Sequence, residues 1–380
     1  MSALYIAVDP GFDSVKVVAN GKIFKFPFVA EETDERKISD YGIRSDFLLY
    51  RNNDGTTYRV GQYARELIFD NKNRQNMDSR MNELYSEKRF ISAEFQVGLR
   101  TAIGLAITEN GLENDPNLEI FLMVALPHSI RQKYSASIKG NSAGEHRFSV
   151  QHGKNPPVNY HFTIREDHVF TLSQTISAIL GETSDDFGNV DEEKFFYLSN
   201  GPTLVIDGGY YTTGLVVVSR GGSVDDDKTE SDTEHAMRNV NEALVESIKD
   251  KRPDLKHYVL EYLLQTGVKI KYLEDGTAKV LDLPTLRAEK AALVCNSLLR
   301  HLDQKYDHLL DINYVLVTGG TGSVFFDQMR DYYTSANILD NSSFLLASST
   351  LGGKEYSIEY AVAIGSYKGL KGKVSLLYGE

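Results

Sequence analysis

Two segments of this chain repeat one order: an apolar run, a turn that contains Asp and Gly, and a second β-rich run. The first consists of LYIAV (4–8) and the turn DPGFDS (9–14). The second consists of TLVI (203–206) and the turn DGGYYTT (207–213). Short apolar runs that end at turn residues predict buried strands. Because the pattern occurs near the start and again past the middle, the chain contains a long-range repeat in which Asp9 and Asp207 are 198 residues apart.

Composition narrows the classes of protein to which the chain can belong. With 380 residues, 41% of them hydrophobic and 25% charged, it is long enough to bury a sizeable core without disulfides. Cys295 is the only cysteine, which excludes an intramolecular disulfide and suits a reducing cytoplasm. A net charge of −12 excludes a whole-protein electrostatic footprint for DNA. No apolar run reaches about 18 residues and the start lacks a basic region, so neither a spanning helix nor a signal peptide is predicted.

Local patterns predict the remaining elements. Asn-Gly and Asp-Gly pairs predict hairpin turns at 20–21, 53–55 and 275–276. Further strands are predicted over 118–126, 313–317 and 343–347. Helices are predicted over 62–69, 91–107, 169–180, 235–250, 257–266, 285–306, 323–334 and 356–368. Residues 181–201 are expected to form a linker, and the acidic segment 225–234 is expected to form a solvated loop.

A third glycine-rich turn, TGGTGS (318–323), follows the strand predicted at 313–317 and precedes a helix. In the turns at Asp9 and Asp207, backbone N–H groups can converge on an anion, and a neighbouring Lys or hydroxyl adds a contact to phosphate. The glycines of the third turn would let the chain pass close to a ribose or a purine. An Asp at a strand end can hold Mg²⁺ through water, and the metal then bridges to phosphates. Each turn alone has an ordinary alternative as a hairpin or a helix entry. The three together, in this order, indicate a nucleotide-binding protein.

The order of these turns, with a helix that carries Gln174 between the first two, resembles the superfamily of actins, chaperone ATPases and sugar kinases. Within it, the segments at 6–27, 58–64 and 124–129 are similar to bacterial plasmid-segregation actins of the ParM type and to their archaeal relatives. The resemblance covers essentially the whole chain.

The resemblance implies an α/β protein with the actin-like ATPase fold. Two lobes are expected, each with a ribonuclease-H-like five-stranded mixed sheet flanked by helices, plus smaller outer subdomains. Lobe I is expected at 1–168 with 355–380, and lobe II at 169–354. The outer subdomains are expected at about 27–90 and 222–285.

The resemblance also implies roles for individual residues. Asp9 and Asp207 match the aspartates of the two phosphate turns and are expected to hold Mg²⁺, mostly through water. Gln174 matches the glutamine that orients the attacking water, a role that suits an amide because it is too weak a base to take the proton. The residues expected to contact ATP or GTP are Gly11, Phe12, Asp13, Ser14, Val15, Lys16, Gly208, Gly209, Tyr210, Thr212, Gly319, Gly320 and Thr321.

Some of these assignments have alternatives. Gln174 is otherwise a surface helix residue, and Lys16 is otherwise a strand lysine that points at solvent. Pro10 and Phe12 depart from the small residues of the family, so the detailed phosphate contacts of the first turn are open. Cys295 lies on an apolar helical face and is expected in the core. No histidine spacing predicts a zinc site.

The function implied by the resemblance is that of a filament protein, with a slow ATP or GTP hydrolysis coupled to polymerisation. Its partners would be further copies of itself, head to tail, and a DNA-binding adaptor of a plasmid centromere, in the bacterial cytoplasm. Direct contact with DNA is not expected, and the tail KGKVSLLYGE (371–380) is too short to predict a membrane anchor. The alternative is a small-molecule kinase or phosphatase of the same superfamily.

Overall fold

The computed structural model describes residues 2–34, 45–65, 86–199, 201–219 and 223–379. The chain forms two compact units, the first comprising Met1–Phe195 with Ser348–Glu380 and the second Phe196–Ala347. The first unit thus runs past the boundary predicted at 168 and resumes before 355. The chain re-enters the first unit at Ser348 rather than at 355 because two backbone N–H groups there bind side chains of that unit. Ser348 N–H donates to Glu182, and Gly352 N–H donates to Asp186.

The elements are numbered along the chain. The first strands are β1 (Ser2–Pro10), β2 (Ser14–Ala19), β3 (Lys22–Pro27), β4 (Ala30–Glu32), β5 (Leu48–Asn52), β6 (Thr57–Val60), β7 (Leu118–Leu126), β8 (Gly144–His152), β9 (Val158–Ile164) and β10 (Val169–Ser173). The helices among and after them are α1 (Ala93–Glu109), α2 (His128–Ser142), α3 (Gln174–Thr183) and α4 (Glu192–Ser199).

The later part of the chain is described in the same way. Its strands are β11 (Thr203–Gly208), β12 (Thr213–Ser219), β13 (Ser223–Asp232), β14 (Lys271–Glu274), β15 (Thr277–Val280), β16 (Tyr314–Thr318), β17 (Phe344–Leu346), β18 (Thr350–Leu351) and β19 (Lys354–Glu355). Its helices are α5 (Met237–Ser247), α6 (His257–Thr266), α7 (Leu283–Lys305), α8 (Gly320–Ser335) and α9 (Ala361–Tyr378). None of the helices described has the length and apolarity needed to cross a membrane.

The central sheet of the first unit has the strand order β10-β7-β1-β2-β3. β1, β7 and β10 run parallel, whereas β1, β2 and β3 form an antiparallel meander. Alternate residues of β1 belong to two different core clusters, one packed under α1 and the other under α9. β1 is therefore apolar on both faces, as a parallel strand covered on both sides must be. The shared carboxyl edge brings the end of β1 close to the start of α3, which follows β10.

The outer part of the first unit is an antiparallel sheet in the order β4-β6-β5-β8-β9. The hairpin predicted at 53–55 joins β5 to β6 and is confirmed. The sheet takes two of its strands, β8 and β9, from beyond the range 27–90 in which the outer subdomain is predicted. Of the helix predicted over 62–69, residues 62–65 are helical and the rest lie outside the described residues.

α3 and α9 of the first unit pack with almost no side chain between them. A Cβ atom at Gly365 of α9 would lie 1.8 Å from the carbonyl oxygen of Ser177 in α3. One contact between the two helices is polar, because the hydroxyls of Ser177 and Ser366 lie 2.8 Å apart. Lys368 is buried here with its Nζ 3.0 Å from the carbonyl oxygen of Gly181, and burial lowers the pKa of this lysine.

The central sheet of the second unit repeats the first, in the order β13-β12-β11-β16-β17. β11, β12 and β13 are antiparallel, and β16 and β17 add in parallel. The core of this sheet includes Cys295, as predicted, and its side chain is fully buried. A separate cluster joins α5 and α6 to the start of α7, beside the β14–β15 hairpin that Asp275-Gly276 predicts. Both five-stranded mixed sheets of the predicted fold class are therefore confirmed.

Three sequence predictions of secondary structure are wrong. Residues 169–173 are not helical but form β10, whose alternating burial fits a strand paired with β7. The predicted linker 181–201 contains α4. The acidic segment predicted as a loop forms most of β13, an edge strand whose backbone pairs with β12. Charged side chains are tolerated there because one side of an edge strand stays open to solvent.

Candidate functional site

Beside the first turn, two of the predicted residues contact the carboxylate of a third. Asp9 at the end of β1 is 3% exposed and pairs in register with Lys16 of β2. Lys16 Nζ lies 3.4 Å from Asp9 Oδ2, and Gln174 Nε2 donates to Asp9 Oδ1 at 2.8 Å. Both carboxylate oxygens of Asp9 therefore have a donor from the protein. The solvent-facing alternative for Lys16 does not describe it, because its side chain is largely buried against this carboxylate.

Gln174 is positioned by the central sheet of the first unit rather than by the first turn. It is the first residue of α3, directly after β10, and β10 is parallel to β7, which is parallel to β1. Because a carboxylate can only accept, the amide nitrogen of Gln174 must face Asp9 and its carbonyl oxygen faces elsewhere. That oxygen is an acceptor able to orient a water molecule, so the predicted role agrees with the geometry and stays a prediction.

The rest of the first turn is held by two arginines that the sequence patterns do not indicate. Arg89 Nη2 donates to the carbonyl oxygens of Pro10 and Gly11, each at 2.8 Å. Arg65 Nη2 lies 2.9 Å from Asp13 Oδ1. Both arginines are buried, and both come from segments far along the chain from the turn. A spacing rule cannot find them, since only the fold brings them to residues 9–14.

The turns of the second unit, those at Asp207 and at Gly319, interlock. β11 and β16 are parallel, with Asp207 in register with Thr318. Gly319 has φ of +80°, and a Cβ atom there would lie 2.4 Å from the carbonyl oxygen of Gly208 and 2.8 Å from Asp207 Oδ1. Thr321 Oγ1 donates to the carbonyl oxygen of Gly209 at 2.6 Å. Glycine is required at 319 for both backbone conformation and space.

The turn after Asp207 closes on itself. Gly209 N–H donates to the carbonyl oxygen of Thr212 at 2.9 Å, and the carbonyl oxygen of Tyr210 accepts from Arg238 N–H at 2.8 Å. The Tyr210 hydroxyl lies 3.4 Å from His257 Nδ1, and its ring packs against the core of the second unit. The ring of Tyr210 is therefore held within the second unit, and the nucleotide contact expected of this residue stays a prediction.

The donors present fit a magnesium–nucleotide. Among the residues described, no three His, Cys, Asp or Glu side chains come together as a metal site, so an all-protein cage is absent there. Mg²⁺ does not need one, because it keeps several waters and is held by one or two carboxylates plus phosphates. Thr318 Oγ1, in register with Asp207, is buried and has no hydrogen-bond partner in the described part of the chain. Gly320, at the start of α8, is exposed with no atom within 4 Å of its would-be Cβ, so a ligand can approach the backbone there.

Comparison with known proteins agrees with this geometry. Residues 7–171 match the family model of the N-terminal domain of actin-like proteins. A 15-stranded ParM filament from Clostridium botulinum superposes with a TM-score of 0.68 at 18% identity, over 98% of this chain and 99% of that one. The protein has the actin-like fold. The predicted resemblance to actin-like proteins of the ParM type is confirmed at the level of the fold.

Two further structures with the actin-like fold are similar over almost their whole length. The archaeal actin homolog Ta0583 gives a TM-score of 0.65 at 15% identity, over 96% of this chain and 98% of that one. The AlfA filament bound to AMPPNP gives 0.55 at 14% identity, over 100% and 97%. No curated protein sequence is significantly similar to this chain. At these identities the solved structures establish the actin-like fold alone. Any inference about chemistry comes from the residues of the turns.

Proposed function

We propose that this protein is a filament-forming actin-like ATPase that binds a Mg²⁺–nucleotide through its glycine-rich turns. The observation that carries the proposal is the buried Asp9 carboxylate, which accepts from both Lys16 and Gln174. A buried carboxylate with a lysine and an amide at the end of a parallel strand suits metal and phosphate chemistry better than a purely structural role. The filament structures of ParM, AlfA and Alp12 are similar in fold and support self-assembly as the wider function.

In this proposal Asp9, Asp207, Lys16 and Gln174 each have a distinct task. Asp9 and Asp207 would hold Mg²⁺ through water, and the bound ion would supply positive charge beside the phosphates. Lys16 donates to phosphate oxygens, with Asp9 keeping its ammonium in place. Gln174 orients a water with its amide oxygen while its nitrogen stays on Asp9. Because an amide does not remove the proton of that water, hydrolysis is slow, as a timer for filament turnover requires.

The same residues connect hydrolysis to assembly. A nucleoside triphosphate bound at these turns favours one conformation of the protein, and loss of the γ-phosphate removes part of that preference. A head-to-tail contact between identical subunits that does not close into a ring generates a helical filament. With a net charge of −12, this protein would move plasmid DNA in the bacterial cytoplasm through a separate basic adaptor.

Light scattering and sedimentation after addition of Mg-ATP, Mg-GTP or Mg-AMPPNP test the proposal, with electron microscopy of the pellet. We expect filaments with at least one triphosphate, and longer-lived filaments with the analogue that is not hydrolysed. Asp9→Asn should lower phosphate release strongly, whereas Asp226→Asn on the acidic strand β13 should not. Absence of filaments and of phosphate release with every nucleotide would refute the proposal. Transfer of phosphate to small-molecule acceptors would instead favour the kinase alternative.

A further inference from the structure

Arg89 is buried beside the first turn and contacts it in two ways. It lies in a short 3-10 helix, Glu87–Ile91, and is 4% exposed. Its Nη2 donates to two successive carbonyl oxygens, those of Pro10 and Gly11. Its guanidinium also stacks on the ring of Phe12, 4.3 Å from the ring centre, and on the ring of Phe28, at 4.5 Å. The turn thus has a buried cation on one side.

These two hydrogen bonds determine the direction of the peptide groups in the turn. The described chain has no cis peptide, and in a trans peptide the C=O of one residue and the N–H of the next point in opposite directions. Holding the carbonyl oxygens of Pro10 and Gly11 on Arg89 therefore turns the N–H groups of Gly11 and Phe12 to the opposite side. Successive N–H groups that point the same way form an anion-binding concavity.

The arginine also accounts for the two departures from the small residues of the family. Phe12 provides an aromatic face for the guanidinium, and its ring meets that of Phe90 edge-on at 6.2 Å. The ring of Phe28 can pack against the Arg89 guanidinium only because residue 98 of α1 is glycine. A Cβ atom at Gly98 would lie 2.1 Å from the Phe28 ring. Pro10 has no N–H and a restricted φ, which suits a carbonyl held in one direction.

We propose that Arg89 is a positioning residue that orders the first turn for the β- and γ-phosphates of the nucleotide. The inference rests on the proposed function, since it assumes that this turn binds phosphate. Lysine is not an equivalent replacement, because it lacks the planar group that donates to two oxygens while stacking on aromatic rings. Arg89 does not touch the nucleotide in this proposal and acts only through the backbone of residues 10–12.

The test compares Arg89→Lys and Arg89→Met with the wild-type protein, by calorimetric titration of ATP, ADP and AMP in the presence of Mg²⁺. We expect the affinities for ATP and ADP to fall about tenfold or more, as loss of a charge-assisted contact predicts, and the affinity for AMP to change little. Arg147→Ala, which removes an exposed arginine paired with Glu145, is the matched control and should leave all three affinities unchanged.

Thermal unfolding of each variant separates positioning from stability. A merely structural role would lower Tm and leave the ratio of ATP to AMP affinity unchanged, which would overturn the inference. If Arg89→Met does not fold, Phe12→Leu removes the stacking face at similar volume and should lower the same ratio by a smaller factor. Wild-type protein that binds no triphosphate would refute the proposed function and the inference together; normal binding by all folded variants would refute the inference alone.

Discussion

Gln174 donates from its side-chain amide to Asp9 at 2.8 Å, although 165 positions separate the two residues in the sequence. Parallel pairing of β1, β7 and β10 brings them together, because the carboxyl ends of parallel strands lie at one edge. A single hydrogen bond thereby links the residue proposed to hold the metal to the residue proposed to orient water.

Replacing Gln174 by Ala should lower kcat for hydrolysis by about a hundredfold, because misplacement of a reacting group by about 1 Å costs a factor of that order, with a smaller change in KM. Filaments formed in ATP should persist longer, because fewer subunits hydrolyse in a given time. Phosphate release and light scattering on the same sample measure both effects. Equal rates in the variant and the wild type would contradict the role of Gln174.

Replacing Gln174 by Glu gives a sharper control. The new carboxylate could not donate the hydrogen bond that Gln174 makes to Asp9, and repulsion between the two carboxylates would displace Asp9 from the position proposed to hold Mg²⁺. We therefore expect a higher Mg²⁺ concentration for half-maximal hydrolysis than in the wild type. An unchanged Mg²⁺ requirement would show that the amide does not face the metal-binding side of Asp9.

Gly365→Ala should destabilise the first unit, because the new methyl group would overlap the carbonyl oxygen of Ser177. Backbone has little freedom to move in a packed helix pair, and we expect a loss of about 3 kcal/mol in the free energy of unfolding. Urea titration followed by circular dichroism measures the change. Gly140→Ala in α2, where nothing lies within 4 Å of the new methyl group, should raise stability by about 0.5 kcal/mol.

Gly319→Ala should disrupt the second unit at its ligand edge. Alanine at φ of +80° is strained by about 1–2 kcal/mol, and its methyl group would also overlap the carbonyl oxygen of Gly208. We expect a lower Tm and a loss of nucleotide affinity measured on the folded fraction. Gly320→Ala, whose methyl group meets no atom within 4 Å, is the steric control and should retain the wild-type Tm.

Stability should fall at alkaline pH because buried acids resist ionisation. Burial raises the pKa of Cys295 from 9.0 to about 12. For Tyr160, burial raises the pKa from 10.0 to about 12, and the hydrogen bond with Thr108 opposes the shift only in part. When the folded pKa lies above the unfolded value, the unfolded state loses its proton first, so the contribution is intact below about pH 9 and is lost as pH rises towards 12.

Urea midpoints between pH 8 and pH 11 measure this loss. The thiol provides a separate test, because a buried thiol with a raised pKa has almost no thiolate at pH 8. Native protein should therefore react with a thiol reagent only as fast as it opens, and in urea it should react at once. Rapid reaction of native protein would show that Cys295 is accessible, contrary to its burial in the core of the second unit.

Several features of the fold follow from local sequence. The strands at 118–126 and 313–317 are predicted to within a residue, because uninterrupted apolar runs have few structural choices when both faces of a sheet are covered. The hairpins at 53–55 and 275–276 are predicted because Asp-Gly pairs permit the turn. β10 and β13 are missed, since a short alternating segment and an acidic segment become strands only when a partner backbone is available.

The sequence by itself determined the order of strands and glycine-rich turns, and with it the repeated sheet and the three candidate ligand turns, because apolar runs and glycines act over a few residues. Only the tertiary structure decided which side chains meet at those turns. Gln174 reaches Asp9 through the register of three parallel strands, and Arg89 reaches Pro10 and Gly11 by the packing of a distant short helix. Such contacts depend on distances in space that no local spacing encodes.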